Sequence, residues 1–207
     1  MIRINGKDVA STINTPTDTP MGTYHLASNP NLYEVQRTNN FEFVVTGLDG
    51  ILKAGAIGDE STATIGNAQE VLRMSVLSST VPHFSQTPIE VKRGNSTIKF
   101  AGVPDFGAGT LVLNDFIGAD TKAVCMAWQN LSYNARTQKV GLASDYKKEA
   151  YLIEYTPDNQ KVRQFKLYGC WISNLTESDH SFETNDKSQI TLEIQYDHAE
   201  IDMSDVL

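Results

Sequence analysis

The chain has 207 residues, 40% hydrophobic and 20% charged, with a formal net charge of -8. That is enough for one good core, or one domain with an arm, and no apolar run approaches the ~18 residues of a membrane span. Of the 25 acids and 17 bases, nine acids and one base (Lys187) fall between Ser173 and Leu207, so the whole net charge sits in that last stretch. Such a field repels nucleic acid or attracts a basic partner. It disfavours a sequence-reading nucleic-acid binder, which needs Lys and Arg against phosphates.

Residues 1–32 are rich in Thr, Ser, Asn and Pro and show no sustained period, which predicts an arm that is extended or orders on assembly. "MIRINGKDVASTINTPTDTP" lacks the hydrophobic stretch of a signal peptide, so folding in a cytoplasm is expected, and Cys125 and Cys170 read as buried free thiols. The domain proper is placed at 33–207. "FEFVVTGLDG" alternates and then turns, a strand with Phe41 and Phe43 on one face. Residues 51–70 contain Gly55, Gly58 and Gly66 with little period, a long loop of the kind that is usually functional. "VLRMSVLSSTV" reads as the next strand.

"IEVKRGNSTIKF" predicts a hairpin turning at Gly94-Asn95, with Gly at the first central position of a type II′ turn. Arg93 then opposes Ser96, Lys92 Thr97, Val91 Ile98, Glu90 Lys99 and Ile89 Phe100. Apolar meets apolar on one face and Glu meets Lys on the other, and a one-residue slip would undo every match. "GTLVLNDF" is a short strand. In "GADTKAVCMAWQNLSYN" the period changes: Val124, Ala127, Trp128 and Leu131 share one helical face behind Asp120 as N-cap. "ARTQKVGLASDYKKE" reads as a loop with a basic tilt. Residues 150–173 form a second hairpin turning at Pro157-Asp158-Asn159, and "NLTESDHSFETNDKS" is an acidic connection. In "QITLEIQYDHAEID", Ile190, Leu192, Ile194 and Tyr196 alternate with Thr191, Glu193, Gln195 and Asp197, a strand with a dry and a wet face. The sum is a mainly β fold: two packed antiparallel sheets, a sandwich or partly open barrel, with one flanking α-helix. Its core anchors are Trp128, Trp171, Phe41, Phe43, Leu192 and Ile194.

Catalysis has little support. His25, His83, His180 and His198 are scattered, and there is no HxxxH, HxH, GxSxG, phosphate-binding loop or CxxC. Asp197 and His198 are neighbours, but in a strand they point to opposite faces, so neither a metal nor another cofactor is expected. A ligand- or glycan-binding β-sandwich is the competing reading; it needs a cluster of exposed aromatics that the sequence does not identify.

Taken in order, "NNFEFVVTGLDG", "TKAVCMAWQN", "VRQFKLYGCWISNLTES" and "QITLEIQYDHAEI" resemble the first strand and turn, the single helix with its Trp, a late strand and the closing strand of the tail tube proteins of contractile-tailed bacteriophages. Relatives of that family form the inner tubes of type VI secretion and other contractile injection machines. The resemblance spans about Leu32 to Asp202. It departs from the family in a longer N-terminal arm and in Ile172, where many relatives carry Pro. It implies a non-enzymatic virion protein, assembled in the host cytoplasm, whose copies form hexameric rings that stack into a tube for genome ejection into the host. The partners implied are further copies of itself, the tail sheath, tape measure, baseplate and tail terminator proteins, and DNA in transit without sequence-specific binding. An acidic lumen would keep DNA off the wall, with Glu193, Asp197, Glu183 and Glu177 as lumen-facing candidates. Residues 136–166 hold seven bases against four acids. Lys147, Lys148, Arg136 and Lys139 from that stretch are candidates for stacking on the acidic tail of an adjacent ring.

Overall fold

The computed structural model describes residues 3–4, 7–8, 34–49, 51, 68–118, 120–183 and 185–202. The expected arm, residues 1–32, therefore lies outside the described residues apart from a two-rung ladder, β1 (Arg3–Ile4) with β2 (Lys7–Asp8). The expected 51–70 loop also lies outside them at 52–67. The chain divides into two compact units, Met1–Arg37 and Thr38–Leu207.

The second unit is built on one antiparallel, open, seven-stranded sheet in the order β3 (Phe41–Thr46), β12 (Lys148–Tyr155), β13 (Lys161–Glu177), β14 (Gln189–Gln195), β9 (Gly109–Asn114), β4 (Val76–Ser79), with β15 (His198–Asp202) also on β13. The 17-residue β13 serves two half-sheets. Its first part pairs with β12 and β15, and its second part with β14. Buried residues are Phe165 and Leu167 before Gly169, then Cys170 and Ile172 after it, so the inward face changes parity at Gly169. The partner strands change with it: Ile194 and Tyr196 are buried before Asp197, and Ala199 packs on the core after it. Both strands thus turn at the same rung, where Asp197 N donates to Tyr168 O at 2.9 Å. The sheet folds there, and its two halves face one core of Phe43, Val45, Leu111, Leu113, Leu152, Leu167, Leu192 and Ile194 among others. This is the packed, mainly β arrangement expected, made from one bent sheet.

Among the described residues three helices flank the sheet, where one was expected. The predicted one is α2 (Thr121–Ser132), with the Asp120 carboxylate accepting from Ala123 N at 3.2 Å, and with Val124, Ala127 and Trp128 buried. The "VLRMSVLSSTV" strand is corrected: α1 (Ala68–Ser75) runs through its first half, and only β4 is strand. Buried Ala68, Leu72 and Ser75 stand at helical spacing once the preceding residues are included, so the apolar run alone was ambiguous between the two periods. Buried Ser75 Oγ and Thr121 Oγ1, 2.9 Å apart, join α1 to α2, and Arg73 clamps both oxygens of Glu42 at 2.8 Å. The expected basic loop, 135–149, instead holds β11 (Lys139–Val140), which pairs back on β10 (Tyr133–Asn134) just before it, a single turn, α3 (Ala143–Tyr146), and the start of β12.

Both cysteines are free and buried. Burial pushes each thiol up to about 12, with a smaller push from Asp115 at Cys125 and from Asp197 at Cys170. Since the thiolate is the reactive species, both should label with the thiol reagent DTNB at least about a hundredfold more slowly in the native protein than in denaturant. Rapid labelling of either thiol in the folded chain would overturn this burial.

Candidate functional site

The "IEVKRGNSTIKF" hairpin is present as β6 (Ile89–Arg93) and β7 (Ser96–Phe100), with all five predicted rungs in register. Gly94 takes the left-handed φ of 63° that the turn requires. Glu90 and Lys99 form the expected cross-strand ion pair at 3.2 Å. Below it, β5 (Phe84–Gln86) pairs with β8 (Pro104–Phe106), and β4 with β9 continues the same two chains into the sheet. Together they form one long ribbon standing off the Gly109 end of the sheet. Its base is anchored by Phe106, whose ring meets Phe84, Tyr196 and the imidazole of His198 at 5.8, 6.1 and 5.1 Å.

Further out the ribbon has no layer behind it among the described residues. Ile89, Val91, Ile98 and Phe100 lie on one face of the hairpin and remain 46–56% exposed. A two-stranded ribbon with a bare apolar face is marginal in water. A partner on that face is the simplest way for such a sequence to persist. The hairpin was legible in the sequence; its lack of cover was not, because register does not report what lies behind a strand.

The polar faces of the two half-sheets differ. On the second, the outward rungs are Thr176, Thr191, Val112 and Ser78, then Asn174, Glu193 and Thr110. Apart from Val112 this surface is polar, has no basic side chain on those rungs, and carries one carboxylate, Glu193, which is exposed. On the first half-sheet the outward face is a charged network. Lys166 Nζ sits 4.5 Å above the ring of Tyr168 and 3.4 Å from Glu149, Tyr168 donates to Glu200, and His198 stacks on Tyr168. The Tyr168 hydroxyl is held above its ordinary pKa, first by the hydrogen bond to Glu200 and then by burial.

The expected site residues separate. Glu177 is taken by Lys122 of α2 at 2.7 Å, and its hydrogen bond raises the Lys122 pKa. Asp197 is taken by Lys147, whose Nζ lies 2.7 and 2.6 Å from its two oxygens. Two lumen candidates and one stacking candidate are thus paired within a single copy. Glu183 is exposed in the β13–β14 connection, outside the strand that carries Glu193. Arg136 lies in the turn between β10 and β11, where the Asn134 carboxamide accepts from its backbone N at 3.0 Å, and Lys139 is exposed on β11. Lys148 is half-buried at the start of β12.

Among the core anchors, Trp128, Phe43, Leu192 and Ile194 are buried and Phe41 is partly buried against them. Trp171 is a correction. Cys170 and Ile172 point inward, so Trp171 must point outward, and it is half-buried edge-on to Tyr146 at 5.8 Å. Among the described residues no group of three or more His, Cys, Asp or Glu side chains is placed to hold a metal ion, and no helix is long and apolar enough to cross a membrane.

No protein-family model matches the sequence, and no curated protein matches it. Solved structures do. A chain of the PVC sheath–tube complex, an extracellular contractile injection system in its extended state, aligns with a TM-score of 0.58 at 15% identity, covering 89% of this chain and 99% of its own. The tube-terminating cap of the anti-feeding prophage aligns at 0.56 and 14%, covering 98% and 99%. The PVC sheath/tube terminator aligns at 0.55 and 16%, covering 80% and 95%. At these identities the likeness speaks for fold, and the fold of this chain is that of the tail tube proteins of contractile injection machines.

Proposed function

We propose that this protein is the structural subunit of the inner tube of a contractile tail, and that its copies assemble as hexameric rings stacked into a conduit for ejected DNA. The observation that carries the reading is the uncovered β6–β7 ribbon beside an open sheet. Among the described residues the outer edges of β3, β4 and β15 are unpaired in the order of the sheet, and an unpaired edge or a bare apolar face is a liability that ring closure between copies removes. A neighbouring copy in the ring is the occupant proposed for Ile89, Val91, Ile98 and Phe100.

The Glu193 surface is the proposed lumen wall. Its uncharged rungs offer a passing phosphate backbone no cation to grip, and its carboxylate repels it. The charged network around Lys166 then belongs to the outside of the tube, where a sheath would ride. Sheath, terminator and baseplate proteins are the proposed partners, with a tape measure and DNA inside. Since one of the matched structures comes from an extracellular contractile injection system, a non-phage injection machine is the second reading of the same architecture.

Negative-stain microscopy of the purified chain tests the assembly: stacked hollow rings are expected, and uniform monomers at high concentration would reject it. Val91→Asp with Ile98→Asp should leave the far-ultraviolet spectrum of the monomer unchanged. It should reduce assembled material more than about tenfold, because losing even one apolar side chain's burial costs about 1.4 kcal/mol or more per contact. An undiminished tube yield would remove the ribbon from the interface.

A further inference from the structure

We infer that the tip of the β6–β7 ribbon of one copy docks on the acidic β13–β14 connection of the copy in the next ring. The inference rests on the tube reading above and adds the pair of surfaces that joins successive rings.

Strand β9 fixes where the two surfaces lie. Its first residue, Gly109, leads out of the ribbon, and Thr80 N donates to Thr110 O at 2.9 Å where the ribbon enters the sheet. Its last residue, Asn114, pairs with Gln189, and Asp115 N donates to Ser188 O at 3.1 Å, at the exit of the acidic connection. A six-residue strand separates the two features by about 17–20 Å, and the ribbon extends further away from that end. The two surfaces therefore occupy opposite ends of one copy.

Their chemistry is complementary. The tip carries Lys92, Arg93 and Lys99 against Glu90, and Lys99 is already paired with Glu90. Lys92 and Arg93 are exposed and make no ion pair among the described residues. The connection carries Asp179, Glu183 and Asp186 against Lys187, also exposed and also without an ion pair among the described residues. Glu177, at its root, is excluded because Lys122 holds it. Phe182 stands fully exposed in the middle of the acids, an apolar contact of the kind a docking partner covers.

A basic knob at one end and an acidic, phenylalanine-bearing seat at the other make a head-to-tail contact. Such a contact does not close on itself and propagates along an axis, which is how rings become a tube. It also places stacking on a pair of surfaces that α2 and β12 do not contribute to, so Lys147 remains free to hold Asp197.

The test uses full-length chains, with circular dichroism and thermal unfolding to show that each variant is folded, and sedimentation with electron microscopy to read assembly. Lys92→Glu/Arg93→Glu places acid against acid; Asp179→Lys/Glu183→Lys places base against base. Each variant alone should lengthen into tubes at least about tenfold less than wild type at low salt, with the wild-type advantage shrinking as salt rises. Mixed in equal amounts, the two should recover tubes, because the unchanged basic tip of the second fits the unchanged acidic seat of the first, and the reversed surfaces fit each other. A folding defect in either variant cannot produce that recovery. Wild-type tubes together with undisturbed tubes from both variants, or variants that fail alone and fail equally when mixed, would overturn this pairing while leaving the tube reading intact. Wild-type chains that never form rings or tubes would overturn both.

Discussion

Trp128→Ala should destabilise the domain by about 3–5 kcal/mol, the range for emptying a large aromatic site in a packed core. Trp128 is 1% exposed on the inner face of α2. Its indole Nε1 donates to Tyr146 O at 3.0 Å, so it also ties α2 to α3. Truncation removes the packing and strands that carbonyl in partly buried surroundings; the two losses act together. Trp128→Phe should cost clearly less, since most of the apolar volume stays and only the hydrogen bond, about 0.5–1.5 kcal/mol, is lost with the remainder of the ring. Trp171→Ala should also cost less, because Trp171 lies on the outward face against Tyr146. Urea unfolding followed by far-ultraviolet circular dichroism measures all three on one scale. A cost below about 1 kcal/mol for Trp128→Ala would contradict a core centred on this indole, as would Trp171→Ala proving the more damaging of the two.

That order of effects shows which features are legible in a sequence. The β6–β7 hairpin and α2 are legible because their signals are local: a Gly at a left-handed turn position, five matched rungs, a helical apolar face behind an Asp cap. Ile190, Leu192, Ile194 and Tyr196 are legible because a half-buried strand writes its burial as alternation. α1 is hidden because a short apolar run satisfies both periods. Trp171 misleads because size suggests burial, where the parity of Cys170 and Ile172 forbids it. The ion pairs Lys147–Asp197 and Lys122–Glu177 join residues 50 and 55 positions apart, and no local pattern announces them. They matter for the site, since they remove from the assembly surfaces charges that the composition leaves available. The exposure of the ribbon is the same kind of information: alternation reports that a face is apolar, and only the tertiary arrangement reports whether the same copy covers it.

Gly169→Ala should cost about 2–4 kcal/mol, combining the strain of a side chain at positive φ with overpacking at a closed position. Gly169 has φ 69°, and a Cβ there would stand 2.9 Å from Asp197 Cγ. This is the rung at which β13 and the β14–β15 pair change face together, so the strain falls on the fold of the sheet itself. Relief by moving Asp197 is resisted on two sides. Its backbone N is committed to Tyr168 O, and its carboxylate is held by Lys147. Asp197→Ala alone removes a surface ion pair and should cost only about 0–1 kcal/mol. In the Gly169→Ala background it should instead recover part of the loss, because it clears the carboxylate while leaving the backbone strain in place. The double-mutant cycle therefore has a favourable coupling of about 0.5–3 kcal/mol, the range for residues in direct contact. Additive effects would show that the two positions do not meet at the corner. A Gly169→Ala chain within about 0.5 kcal/mol of wild type would show that the sheet does not need a left-handed residue at its fold. Because the corner sets the angle between the Glu193 face and the Lys166 face, a tube built from a strained but folded Gly169→Ala chain should also differ in diameter or stacking from wild type, and microscopy of the same samples reads that directly.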